Sequence, residues 1–384
     1  MRILMMCYEF PPIGGGGAGV VRGLSAQLVR MGHEVDVVTM QYQNLPKRER
    51  VDGINVHRVP CVRLSPSWCT MAEQATYLAS VVPYAVKLAR RRHYDINHTH
   101  FILPDGLAAL ALRRIVGLPY VITSHGSDVP GYNPHRFRMA HRTLAPAWRA
   151  VVGGAERILC PSELQQALVH RAKPGARTTV IPNGIDEDPT ARYGGEKQRR
   201  ILVVTRMFER KGIQYFLRAL QGMQLQHEVH IVGDGPYLPT LKSLADELRL
   251  DVRFWGWLDR GSEQIRSLYD SSEIYVFPSE AENFPLVLLE AMRAGAAIIT
   301  TKGTGCAEVV GDTALLVEPQ SPESIRAALT RLTSDPELCR RLSVAAQTRM
   351  RDNFTWPAVA GRYLDAYPKP RLSPAGVPAV ADVA

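Results

Sequence analysis

A chain of 384 residues with a 46% apolar share is too long for one ordinary core and points to two globular domains. It has no apolar run of the roughly 18 residues that a bilayer-spanning helix needs, which excludes a membrane-spanning helix. The net charge of +9 asks for an anionic partner, but basic residues interleaved with aromatics are not evident. A nucleotide, an anionic lipid or an acidic glycan is therefore preferred over nucleic acid.

In chain order, strand-like runs alternate with helical ones from end to end, which predicts an α/β protein with parallel sheets covered by helices on both faces. In the first half, strands are expected near Ile3–Cys7, Val35–Thr39, Asn55–Val59, Ile96–His98, Tyr120–Thr123, Arg157–Cys160 and Thr179–Ile181. Helices are expected over Val20–Met31, Met71–Arg92, Pro104–Val116, Arg138–Gly153 and Glu163–Ala172. The N-terminus passes from Arg2 directly into a strand, without the zones of a signal peptide, so a cytoplasmic protein is expected. A Gly- and Pro-bearing charged stretch, Asn183–Gln198, reads as a linker. A second strand-first unit opens at Arg200, with strands near Glu228–Val232, Val252–Phe254, Ile274–Phe277, Ala296–Thr300 and Ala314–Val317. The predicted organisation is a first domain over 1–185, a linker over 186–199, a second domain over 200–355, a last helix over 356–367 and a loosely held Pro- and Ala-rich tail over 368–384. Six cysteines at 7, 61, 69, 160, 306 and 339 form no CxxC pair and no metal-ligand spacing, so they read as reduced core residues.

Four motifs fall where predicted strands end. Pro11-Pro12-Ile13-Gly14-Gly15-Gly16-Gly17-Ala18-Gly19 sits between the first strand and the first helix, where glycines let backbone approach a phosphate at a helix N-terminus. Ser124-His125-Gly126-Ser127-Asp128 ends the Tyr120–Thr123 strand. Thr205-Arg206-Met207-Phe208-Glu209-Arg210-Lys211-Gly212 places two cations, Arg206 and Lys211, to bracket a diphosphate. Ser279-Glu280-Ala281-Glu282-Asn283-Phe284-Pro285-Leu286-Val287-Leu288-Leu289-Glu290 puts Glu282 at a strand's carboxyl end, Pro285 at a helix start, and Glu290 about one turn in. Glu290 is placed to offer a carboxylate to a diol while the first-turn amides of Leu286 and Val287 hold phosphate. His98 and His100 face one side of a strand; with no third ligand nearby in sequence, they read as structural or acceptor-side residues rather than a metal pair.

The run Glu-Asn-Phe-Pro-x-x-x-x-Glu-Ala-Met from Glu282 to Met292, with Arg206, Lys211-Gly212 and His125-Gly126, resembles the retaining glycosyltransferases of family 4, which have the GT-B fold. The resemblance extends from Met1 to about Tyr367. It implies two Rossmann-like doubly wound domains facing a cleft and transfer of a hexose from a nucleoside-diphosphate sugar, UDP-sugar before GDP-mannose. It further implies donor-sugar contacts for Glu282 and His125, ribose contact for Glu290, and a diphosphate held by Arg206, Lys211 and the Gly15, Gly16 and Gly17 amides. Gly235 and the backbone at Trp257 would surround the base, with Asn283, Phe284, Pro285, Leu286 and Val287 as further donor contacts. Asp128 and His100 are acceptor-side candidates. No cofactor and no metal is expected, since no Asp-x-Asp motif is present. The implied acceptor is a glycan, a lipid-linked molecule or a small molecule, in cell-envelope or polysaccharide synthesis. The basic stretches Lys87–His93 and His135–Arg142 are either solvated helix faces or a dock for an anionic membrane surface. Rival readings on the same architecture are a sugar-nucleotide epimerase and a catalytically silent sugar-nucleotide-binding subunit.

Overall fold

The computed structural model describes residues 1–132, 138–186, 197–259 and 261–368. The first sheet comprises β1 (Arg2–Met6), β2 (Glu34–Met40), β3 (Arg48–Val51), β4 (Ile54–Val59), β5 (Ile96–His100), β6 (Tyr120–Thr123), β7 (Arg157–Cys160) and β8 (Thr178–Val180), in the order β3-β4-β2-β1-β5-β6-β7-β8. The second comprises β9 (Gln198–Val204), β10 (Glu228–Val232), β11 (Val252–Gly256), β12 (Ser272–Phe277), β13 (Ala297–Thr301) and β14 (Ala314–Val317), in the order β11-β10-β9-β12-β13-β14. Both sheets are parallel except for β3, which runs antiparallel to β4. The expected α/β class is what the chain adopts. The strands are apolar without alternation because both faces are covered: Ile3 and Met5 enter one core, Leu4 and Met6 the other.

Each sheet reverses its winding beside its first strand. β1 lies between β2 and β5, and β9 lies between β10 and β12, so loops leave in opposite directions at the carboxyl ends of β1/β5 and of β9/β12. Such switch points open a crevice without further sequence help. The glycine loop follows β1, the Arg206–Gly212 loop follows β9, and the Glu282 loop follows β12.

Three local expectations need correction. The first helix starts at Gly16 rather than Val20, so Gly16 and Gly17 belong to its first turn. The Arg138–Gly153 segment is two helices, Arg138–Thr143 and Ala145–Gly154, with a proline in the first turn of the second. The edge strand β3 was not expected: Arg48-Glu49-Arg50-Val51 lacks the apolar run of a buried strand. The centre of the linker (187–196), the tail from 369 onward and part of the basic stretch His135–Arg142 lie outside the described residues. Among the described residues no helix is long and apolar enough to cross a membrane.

The last helix, Trp356–Ala366, returns from the second domain to pack on the first. Trp356 fills a notch that only glycine permits: a Cβ on Gly23 would lie 2.0 Å from Trp356 Nε1, and one on Gly184 within 2.8 Å of the same ring. One residue beyond the helix, the Tyr367 hydroxyl meets His98 Nδ1 at 2.8 Å, while His98 Nε2 meets Thr123 Oγ1 at 2.8 Å. Both ring nitrogens of His98 are therefore committed to the protein rather than to a metal. Burial pushes the His98 imidazole down to about 3, below its ordinary value of 6.5. The unfolded chain then binds a proton below pH 6.5 that the native chain refuses, so stability rises with pH between about 3 and 6.5. Acidifying from pH 7 to 5 is expected to cost about 2 kcal/mol through His98 alone. Urea unfolding at the two pH values checks this: the difference should shrink in His98→Gln, and an unchanged difference would refute it.

Candidate functional site

Gly212 brings the cation loop onto the Glu282 loop. It takes φ +72°, and a Cβ there would lie 2.0 Å from the Pro278 carbonyl oxygen, so no other residue allows the approach. Glu280 N donates to the Arg210 carbonyl at 2.9 Å and locks the two loops together. As a result Lys211 Nζ and Glu282 Oε1 form a buried ion pair, with Ser279 Oγ donating to the same oxygen at 2.7 Å. Burial holds the Lys211 ammonium below its usual range, against the pull of Glu282. Arg206 stands exposed at the mouth of the same loop, 5.5 Å from the Phe208 ring centroid. The two cations thus differ in setting, one exposed and one buried.

The helix after the Glu282 loop runs over Leu286–Ala294, with Pro285 as its N-cap, one position earlier than its sequence placement. Its first residue meets the start of the Gly16–Arg30 helix: Leu286 Cδ1 lies 3.9 Å from where a Gly16 Cβ would be. Two helix N-termini, one from each domain, therefore converge in the crevice, and their first-turn amides add positive potential to that of Arg206 and Lys211. Glu290, half-buried, accepts from the Tyr269 hydroxyl at 3.0 Å. Phe284 packs edge-on against Phe354, 5.6 Å between centroids, and Val287 is half-buried beside the same core.

On the first-domain wall, Gly17 is packed so tightly that a Cβ would lie 2.9 Å from Phe101 Cζ and 3.6 Å from His125 Nδ1. His125 thereby faces the glycine loop, its ring tilted against Phe101 at 4.4 Å. Gly15 N donates to Glu9 Oε2 at 3.3 Å, placing a carboxylate against the loop. Burial raises Glu9 above the usual carboxylate range, while Arg63, the Gly15 amide and Arg206 pull it back.

The two acceptor-side candidates are both buried. Asp128 is only 7% exposed, and its two oxygens accept from Ile102 N at 2.8 Å and His125 N at 2.9 Å. It ties the loops after β5 and β6 together and holds the His125 backbone. His100 is fully buried and touches His125. Gly235 and Trp257 sit on loops of the β10 and β11 edge. A Cβ on Gly235 would lie 2.5 Å from the Met207 carbonyl oxygen, so this glycine serves the packing of its turn on the Arg206 loop. The Trp257 side chain is exposed.

The Asn283 side chain is drawn into a domain contact: its Oδ1 accepts from Ser162 Oγ at 2.6 Å. Beside it Glu308, in the Gly305–Val310 helix, accepts from Glu163 N at 2.6 Å and Leu164 N at 2.9 Å, capping a first-domain helix from the second domain. Ser162, Glu308 and Glu9 lie outside the motifs read from the sequence, and Ser279, which opens the Glu282 motif, has no role assigned there. Ser162-Glu163-Leu164-Gln165 does carry the Ser-x-x-Gln capping signature, and Ser162 Oγ accepts from Gln165 N at 3.1 Å. Its partner 121 residues away carries no signal.

Residues 14–189 match the model "Glycosyltransferase Family 4", and residues 186–349 match "Glycosyl transferases group 1". The chain is 28% identical over 389 residues to an uncharacterised glycosyltransferase of Methanocaldococcus jannaschii, covering 96% of this chain and 98% of that one. It is 30% identical over 361 residues to a 2-deoxystreptamine N-acetyl-D-glucosaminyltransferase of Streptomyces fradiae, covering 85% and 83%. Among solved structures, Anabaena HepE in complex with UDP-glucose superposes with a TM-score of 0.74 at 20% identity over 95% of this chain and 98% of that one. The two family models together cover residues 14–349, and with the full-length relatives they show that the chain belongs to glycosyltransferase family 4, the group 1 glycosyl transferases of GT-B fold.

Proposed function

We propose that the chain is a retaining hexosyltransferase that uses a UDP-sugar, with GDP-mannose as second choice, and needs no divalent metal. The observation that carries this is the convergence of two helix N-termini with Arg206 and Lys211 on one crevice. As the anomeric C–O bond of the donor breaks, its electron pair goes to the diphosphate, and fixed donors aimed at that growing charge lower the barrier without reorganisation. Arg206 and Lys211 with the two helix starts supply the neutralisation that a metal provides elsewhere. The ion pair with Lys211 supports reading Glu282 as a holder of sugar hydroxyls rather than a covalent nucleophile. His125 flanks the hexose and the adjoining phosphate from the opposite wall. The UDP-glucose held by Anabaena HepE, a protein of the same fold, supports the choice of uridine. The acceptor is a glycan, a lipid-linked molecule or a small molecule taken up by the first domain.

A nucleotide-release screen over sugar nucleotides and an acceptor panel tests the reading. Release of UDP, dependent on acceptor and unchanged by a chelator, is the expected outcome. An isomerised donor without acceptor would make the chain an epimerase, and binding without release across the panel would make it a silent subunit.

A further inference from the structure

Three imidazoles stack in a column that leads from the returning helix to the cleft. His98 lies 4.6 Å from His100, and His100 lies 5.3 Å from His125, with interplanar angles of 20° and 24°. The last two also touch edge to edge: His100 Nδ1 meets His125 Nε2 at 3.1 Å. That contact contains one proton, which either ring can own. If His125 Nε2 carries it, His100 is protonated at Nε2, a buried nitrogen with no hydrogen-bond partner among the described residues. An orphaned buried N–H is the rarer and costlier defect. If His100 Nδ1 carries it, the unpartnered atom is only a lone pair, and His125 must hold its own proton at Nδ1. Nδ1 is the atom beside Gly17, on the glycine-loop side.

We propose that His100 is a positioning residue that fixes His125 as its Nδ1–H tautomer, so that the ring offers a hydrogen-bond donor to the cleft. The surroundings keep the choice between neutral forms. Burial pushes His98 and His125 down to about 3 and His100 well below its ordinary value, so the column carries no charge at neutral pH. The other restraints on His125 set its orientation without deciding its proton: Asp128 holds its backbone amide and Phe101 its ring face. An Nδ1–H matches a ligand edge that can only accept, such as a phosphate oxygen, whereas a bare Nδ1 would repel it. That consequence for the donor rests on the transfer reading above; the tautomer itself does not.

Nitrogen NMR of the full chain labelled in its imidazoles, with His125 assigned by the signal lost in His125→Gln, reads the tautomer directly. The expected spectrum shows His125 protonated at Nδ1 in the wild type and in His100→Asn, whose amide keeps a donor near the same place. In His100→Met, whose thioether can accept but not donate, His125 should move to Nε2–H. The value of kcat/KM should fall about 10- to 100-fold in His100→Met, the scale of one hydrogen bond to a charged group, and recover in His100→Asn. An Nε2–H signal for wild-type His125, or equal spectra and rates in the two variants, overturns the proposal. If no sugar nucleotide is turned over but the Nδ1–H signal is present, the transfer reading fails and the role of His100 stands.

Discussion

Lys211→Met and Glu282→Gln should each lower kcat by at least about 100-fold, the scale of losing one preorganised donor. The buried pair complicates such variants, because removing one partner strands the other charge at a cost of about 3–5 kcal/mol. Against a total stability of about 5–15 kcal/mol, such a single variant is weakened though still folded. The double variant Lys211→Met/Glu282→Gln separates the two effects. It has no stranded charge, so its unfolding midpoint should lie above those of both single variants, since residues in direct contact do not act additively. Its turnover should nevertheless stay as low as the worse single variant. If the pair served only to hold the loops together, restoring stability would restore the rate, and a double variant with near-native kcat would remove Lys211 and Glu282 from the chemistry.

Gly305→Ala should damage the site from outside it. Gly305 N donates to the Glu282 carbonyl at 2.9 Å, and an added Cβ would lie 1.7 Å from the Asn283 carbonyl oxygen and 2.9 Å from that of Glu282. The short Gly305–Val310 helix and the Glu282 loop cannot both stay in place. Overpacking of this kind costs about 1–3 kcal/mol, and a 1 Å displacement of substrate-positioning groups costs about 100-fold in rate. Gly303→Ala is the control. Gly303 has φ +73°, and a Cβ added there would meet nothing within 4 Å, so this variant should lose about 1–2 kcal/mol from left-handed backbone strain at unchanged turnover. Thermal unfolding and kcat measured on both variants decide the matter: equal rates in the two would show that the Gly305 contact does not set the position of Glu282.

Much of the site was legible because its residues are local to motifs. Arg206, Lys211, Glu282 and the glycine loop each lie on the segment that follows a strand, and strand ends follow from apolar runs. The helix start at Gly16 was misread because four glycines have poor helix propensity; in the folded chain Gly16 and Gly17 are wedged against Leu286, Phe101 and His125, and packing overrides propensity. The same-face placement of His98 and His100 was legible from the two-residue period of a strand. Their alignment with His125 was not, because it requires β6 to lie beside β5 with His100 opposite Thr123.

The alternation of strands and helices and the family were both legible in the sequence. All of this is carried by short-range patterns: apolar runs, turn glycines and charges at fixed spacing. Sheet order and packing alone bring Asp128 and His100 against His125, tie Asn283 and Glu308 to Ser162 and the helix start after it, and let Lys211 reach Glu282 as a buried pair. Each depends on residues tens to more than a hundred positions apart in the chain, brought together by sheet order and by glycines that let backbones touch.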